Sequence, residues 1–229
     1  MIPWRTLDEA EVPGEPQPLV LLQRGDEFVV RRGTVALMGS GMHASEDRLA
    51  AAACEAIAAR PQPRVLVGGL GMGFTLAAAL QALPAQATVV VAELIPAVVT
   101  WNRGPLAPLA GHPLADPRVV VEVGDVRDVA AGGERWDAIL LDVDNGPDGF
   151  TRRENASLYS AEGLRAWHAR LTERGVLAVW SVAPDDAFTR RFAGAGFHVR
   201  EEVVRARPGK GARHTLWFGV RRASGGGSA

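Results

Sequence analysis

From residue 64 onward the chain alternates short, almost uninterrupted apolar runs with longer stretches of helical period. The runs are Val65-Val67, Thr88-Ala92, Val119-Val123, Ala138-Leu141, Val176-Ser181, Val199-Val204 and Thr215-Val220. Val89-Val90-Val91 and Ile139-Leu140-Leu141 leave no polar face, as expected where helices cover both sides of a parallel sheet. Phe74-Leu83, Pro96-Leu109, Ala161-Leu171 and Asp185-Ala195 supply the helices between them. Pro96 suits a first helical turn, where its missing N–H costs nothing. The pattern predicts a doubly wound α/β domain with seven strands.

Upstream the pattern differs. The first 18 residues, rich in proline and acid, read as an irregular arm. Apolar runs at Leu19-Leu22, Phe28-Val30 and Val35-Met38 are broken by Arg24-Gly25-Asp26 and Arg32-Gly33, which predicts a small antiparallel hairpin or three-stranded ribbon. Ser45, followed by Glu46 and Asp47, reads as a helix start: a hydroxyl to accept from free N–H groups, then acids in the first turn. That helix is expected to reach about Arg60, before Pro61 and Pro63. The chain thus divides into an arm and β-element over 1–44, an α/β domain over 45–223, and a glycine-serine tail over 224–229 with flexible linker composition.

Composition narrows the function classes. The 229 residues are 47% hydrophobic and 22% charged, ordinary for a globular core. Twenty-five basic residues against 26 acidic ones give a net charge of -1, so nothing calls for a nucleic-acid partner. The paired arginines at 31–32, 152–153, 190–191 and 221–222 read as solvated surface. The one cysteine, Cys54, excludes an internal disulfide or a cysteine-cluster zinc site, and the histidines lack metal-ligand spacing. No metal is expected. The longest apolar stretch, Thr88 to Val99, is interrupted by Glu93 and Pro96, so no membrane span is expected and a cytoplasmic location is. The tryptophans at 101, 136, 167, 180 and 217 read as packing, and Asp137 as a solvated strand start.

The candidate chemistry lies at the strand ends, where such sheets bind ligands. The first strand runs into Gly68-Gly69-Leu70-Gly71-Met72-Gly73. A dinucleotide fingerprint begun at Gly69 needs a small residue at position 74, where Phe74 stands; Gly69, Gly71 and Gly73 instead give the G-x-G-x-G form typical of S-adenosylmethionine-dependent transferases. Glu93, 22 residues beyond Gly71 and next to Leu94, is placed to accept both ribose hydroxyls. Asp125, between Gly124 and Val126, can accept from an adenine amino group, or cap the next segment as a turn residue. The fourth strand ends in Asp142-Val143-Asp144-Asn145-Gly146-Pro147, a turn able to present a carboxylate that holds a cationic amine and takes its proton.

Four stretches together resemble the polyamine aminopropyltransferases, the spermidine synthases: VLVGGLGMGF, ELIPAVVTWNRGPL, DPRVVVEVGDVRDV, and WDAILLDVDNGPDG followed by SLYSAEGL. The C-terminal GARHTLWFGVRRAS is similar as well, and the likeness runs from about Val35 to Ala223. The resemblance implies a seven-stranded, Rossmann-like, methyltransferase-type sheet after a small N-terminal β-element. It implies Gly68, Gly69, Gly71, Gly73, Glu93, Leu94, Asp125 and Val126 around the cofactor, with ribose at Glu93 and adenine at Asp125. Asp142 would be the base, and decarboxylated S-adenosylmethionine or S-adenosylmethionine the donor. Asp144, Asn145, Tyr159 and His43 would line the site of a small-molecule amine, and a homodimer is a family expectation. The chain departs from the family at Asn145, where a second Asp is usual, and at Met42-His43, where a Tyr-His pair is usual. These departures leave room for a different acceptor. The competing readings are a methyltransferase on the same fold and a non-catalytic nucleoside-binding protein.

Overall fold

The computed structural model describes residues 2–12, 14, 16–133, 135–143, 153–207 and 210–222. Its main sheet has seven strands: β5 (Arg64–Gly68), β6 (Thr88–Glu93), β7 (Val119–Val123), β8 (Trp136–Leu141), β9 (Leu171–Ser181), β10 (Phe197–Arg207) and β11 (Lys210–Arg221). They lie in the order β10-β11-β9-β8-β5-β6-β7, with the five from β9 to β7 parallel and β11 antiparallel to both its neighbours. Each coincides with an apolar run of the sequence.

Helices cover both faces, and the two-residue period of the central strands divides the core accordingly. Val65, Val67, Ala138 and Leu140 pack with α1 (Ala44–Glu55), α2 (Phe74–Ala82) and α3 (Pro96–Arg103). Leu66, Ile139, Leu141 and Trp217 point the other way, against α4 (Val126–Ala131), α5 (Ala161–Arg170) and α6 (Asp186–Gly194). Burial on both faces is why these strands carry no polar alternation. The antiparallel sheet β1-β2-β3-β4 comprises β1 (Arg5–Ala10), β2 (Leu19–Arg24), β3 (Glu27–Arg32) and β4 (Val35–Gly39). Leu19, Leu21, Phe28 and Val30 join the same buried cluster as Leu70 and Met72 of the glycine loop, which docks this sheet over the strand ends.

Several expectations need correcting. The first 18 residues are not wholly irregular, because Arg5–Ala10 is an edge strand paired with β2. Its side chains are mostly exposed, so no apolar alternation marked it; Trp101 Nε1 donates to Asp8 Oδ2 at 2.7 Å and ties it to the main body. The ribbon accordingly has four strands. Helix α1 is shorter than expected, and Ser45 does not cap it: His43 is the capping residue, without a side-chain capping bond. Ser45 lies within the helix's first turn and is wholly buried. The helix from Pro96 stops at Arg103, and after Gly104 the chain continues in a 3-10 turn over Ala107–Ala110. The short α4, capped by Asp125, carried too little periodicity to be anticipated. Asp137 is buried, not solvated: it accepts from Arg64 N–H and Thr172 Oγ1, both at 2.8 Å, and pairs with Arg60 at 2.7 Å.

Candidate active site

The direction of chain progression reverses on either side of β5. The chain moves outward to β6 and β7, then returns to β8 on the other flank. The crevice at such a switch point is where a doubly wound sheet binds ligands, and here it lies between the ends of β5 and β8. The glycine loop leaves β5 there. Gly69 has φ +85, and a Cβ on it would stand 2.3 Å from the carbonyl oxygen of Asp142, so only glycine lets the two strand ends approach. The loop is held from behind by Asn102, which donates from Nδ2 to the Gly71 and Val98 carbonyls, each at 2.9 Å.

Two cavities open from this crevice. The larger, about 890 Å³ with its mouth included, runs along Gly69, Gly71, Glu93, Leu94, Asp125 and Val126. Glu93 is 7% exposed. Its Oε2 accepts from Leu70 N–H and its Oε1 from Ile95 N–H, each at 2.9 Å. Those bonds fix the carboxylate on the cavity wall. Asp125 caps α4, accepting from Arg127 N–H at 2.8 Å and from the Arg127 guanidinium at 3.0 and 2.6 Å. The capping reading of Asp125 therefore describes its local structure, and the cavity wall is its second role. Gly68 ends β5 facing Val126, where a Cβ would meet that side chain at 2.8 Å, and Gly73 caps α2 with φ +87.

The smaller cavity, about 710 Å³ with its mouth, is walled by Leu37, Met38, Met42, Phe74 and Trp180, with Glu46 and Asp142 as its ionisable groups among the described residues. Asp142, Gly71, Leu37 and Met38 line both cavities, so Asp142 stands at their junction. Thr75 Oγ1 donates to Asp142 Oδ2 at 2.5 Å. Burial pushes the Asp142 carboxyl up to about 6, against the opposing pull of the Thr75 bond. Glu46 is raised to about 7, first by burial and then by the charge of Asp142. Two carboxylates lining one partly enclosed space resist being ionised together.

No protein-family model and no curated protein matches the chain. Solved structures do match. A spermidine synthase in complex with the transition state analogue AdoDATO superposes with a TM-score of 0.72 at 17% identity, covering 95% of this chain and 72% of that one. The spermidine synthase from Thermotoga maritima gives 0.73 at 18% identity, with 95% and 73% covered.

The chain has the spermidine synthase fold. The match covers 95% of a chain built from an N-terminal four-stranded sheet and a seven-stranded mixed sheet.

Within this spermidine synthase fold, the residues named from the sequence separate into three groups. Gly69, Gly71, Glu93, Leu94, Asp125, Val126 and Asp142 gather on the larger cavity, with Gly68 and Gly73 shaping the loop behind them. Tyr159 and His43 stand apart. Tyr159 is 2% exposed, donates from its hydroxyl to the Val143 carbonyl at 3.3 Å and meets Phe188 edge-on, so it supports the strand end from beneath. His43 stacks on Phe74 with ring centroids 4.1 Å apart, sets Nδ1 2.8 Å from Asp47 Oδ2, and faces an outer groove. Asp144 and Asn145 lie outside the described residues. Glu46, Thr75, Asn102 and the cavity face of Trp180 were not anticipated, since each looks in sequence like an ordinary helix or strand residue. Among the described residues, no three His, Cys, Asp or Glu side chains gather as a metal site requires, and no helix is long and apolar enough to cross a membrane.

Proposed function

We propose that the protein is a transferase of the spermidine synthase type, moving the aminopropyl group of decarboxylated S-adenosylmethionine to a small amine. The observation that carries this reading is the position of Asp142, a carboxylate raised to about 6 at the junction of the glycine-loop cavity and a second, mostly apolar one. Glu93 holds the ribose hydroxyls, and Asp125 with Leu94 and Val126 flanks the adenine. The neutral amine nitrogen attacks the carbon beside the sulfonium. An N–C bond forms as the C–S bond breaks, the electron pair stays on sulfur, and methylthioadenosine leaves. Asp142 takes the proton that frees the amine lone pair before attack, and the product leaves as an ammonium. Catalysis of this kind works by positioning and by a carboxylate facing developing positive charge. Soluble, cytoplasmic polyamine-type metabolism is the setting we infer for such an enzyme.

Methyl transfer from S-adenosylmethionine is the second reading. Arg32 on the wall of the larger cavity favours it, because a guanidinium suits the donor's amino-acid carboxylate. A product assay with each donor against a panel of amines separates the two. Aminopropyl transfer yields methylthioadenosine without S-adenosylhomocysteine, and the reverse outcome rejects it. Asp142→Asn is expected to abolish turnover while leaving methylthioadenosine affinity within about tenfold, roughly 1.4 kcal/mol. Full activity in that variant removes Asp142 as the base.

A further inference from the structure

The smaller cavity has a chemistry of its own. Glu46 enters it from the first turn of α1, and its carboxylate is fixed rather than free. Ser45 Oγ donates to Glu46 Oε2 at 2.5 Å, accepts from Trp180 Nε1 at 3.0 Å and lies 2.8 Å from His214 Nδ1. Ser45 is wholly buried, so α1, β9 and β11 meet at one hydroxyl that orients Glu46. Glu46 and Asp142 line the same cavity and feel one another's charge. Among the described residues most of the other lining side chains are apolar, with Leu37, Met38, Met42, Phe74 and Trp180 the largest of them. Such a surface accepts alkyl or aryl groups well, and among the described residues it offers an ammonium no carboxylate beyond Glu46 and Asp142.

We propose that Glu46 is a second substrate-binding carboxylate: with Asp142 it grips the single ammonium of an acceptor whose remainder is apolar, an alkylamine or arylalkylamine rather than a diamine. This inference rests on the reading that the acceptor is an amine. One ammonium between two carboxylates supplies the charge they lack and draws both toward ionisation, so substrate binding itself readies Asp142 for its proton. A second ammonium in this cavity would find no further carboxylate among the described residues. The donor's identity does not enter, because Glu46 lines the smaller cavity and not the larger one.

The test compares donor consumption with n-butylamine, 2-phenylethylamine and 1,4-diaminobutane in the unmodified protein and in Glu46→Gln. The monoamines are expected to exceed the diamine at least tenfold in kcat/KM. Glu46→Gln is expected to raise the amine KM tenfold or more while the donor KM stays within twofold. Glu46→Asp, which keeps the charge and shortens its reach, is expected to fall between, and circular dichroism checks that both variants fold. Preference for the diamine, or an unchanged amine KM in Glu46→Gln, overturns the inference while leaving aminopropyl transfer standing. If no amine is consumed with either donor, the transfer reading fails, and calorimetry still judges the pocket. n-Butylamine should then bind the methylthioadenosine complex and lose tenfold or more in Glu46→Gln, and absence of that binding overturns the inference as well.

Discussion

Asp142→Asn is expected to stabilise the folded chain, and by an amount that depends on pH. In the unfolded chain the carboxyl titrates near 3.8, and in the fold burial raises it to about 6. The folded state therefore holds a proton that the unfolded state releases between about pH 4 and 6, and stability falls as pH rises through that window. The shift is about two units; at 1.36 kcal/mol per unit, ionised Asp142 costs roughly 3 kcal/mol at pH 8. Asparagine removes that cost while its carbonyl can still accept from Thr75. Urea unfolding at pH 8 should show the variant more stable than the unmodified protein by about that amount, with an unchanged m-value. At pH 4 the advantage should vanish, because both proteins are then neutral at position 142. Relief of Glu46, whose carboxyl is raised in part by the Asp142 charge, acts in the same direction. A variant no more stable at pH 8, or one equally favoured at both pH values, refutes a buried, reluctantly ionised Asp142.

Other positions give independent checks. Gly69→Ala should cost about 1–3 kcal/mol for its left-handed backbone alone, and more for a Cβ placed 2.3 Å from the Asp142 carbonyl oxygen; unaltered thermal unfolding and methylthioadenosine binding would show that the strand ends do not need glycine there. Glu93→Gln should weaken methylthioadenosine binding by roughly 1.5–3 kcal/mol, since a charged acceptor of hydroxyl protons is lost, and calorimetry showing equal affinity would remove its ribose role. Cys54 is fully buried and its thiol is pushed up to about 12 by burial and then by Glu55. At pH 8 it should ignore Ellman's reagent until denaturant is added, because only the thiolate attacks; prompt reaction of the native protein would place Cys54 at the surface.

The seven strands of the main sheet and the glycine loop were legible because their signals are local. A strand buried on both faces must be apolar at every position, as Val89-Val90-Val91 and Ile139-Leu140-Leu141 are, and a turn that approaches another backbone must use glycine. That Glu93, Asp125 and Asp142 stand at strand ends beside one crevice was legible for a related reason, since strand order locates the crevice without any knowledge of side-chain contacts. Strand β1 was not, because an exposed edge strand carries no alternation that composition could reveal.

What only the tertiary structure decided is which side chains meet. Ser45 looked like a helix cap and became the buried hydroxyl that joins Glu46, Trp180 and His214. Asp137 looked solvated and became a buried partner of Arg60 and Thr172. Glu46 looked like a first-turn acid and turned out to face Asp142, with its carboxyl raised to about 7. Sequence by itself determined the scaffold and the strand ends on which chemistry is mounted, because periodicity and backbone conformation are properties of neighbouring residues. The pairing of carboxylates across a cavity depends on dielectric and distance between remote segments, and those quantities exist only once the chain has folded.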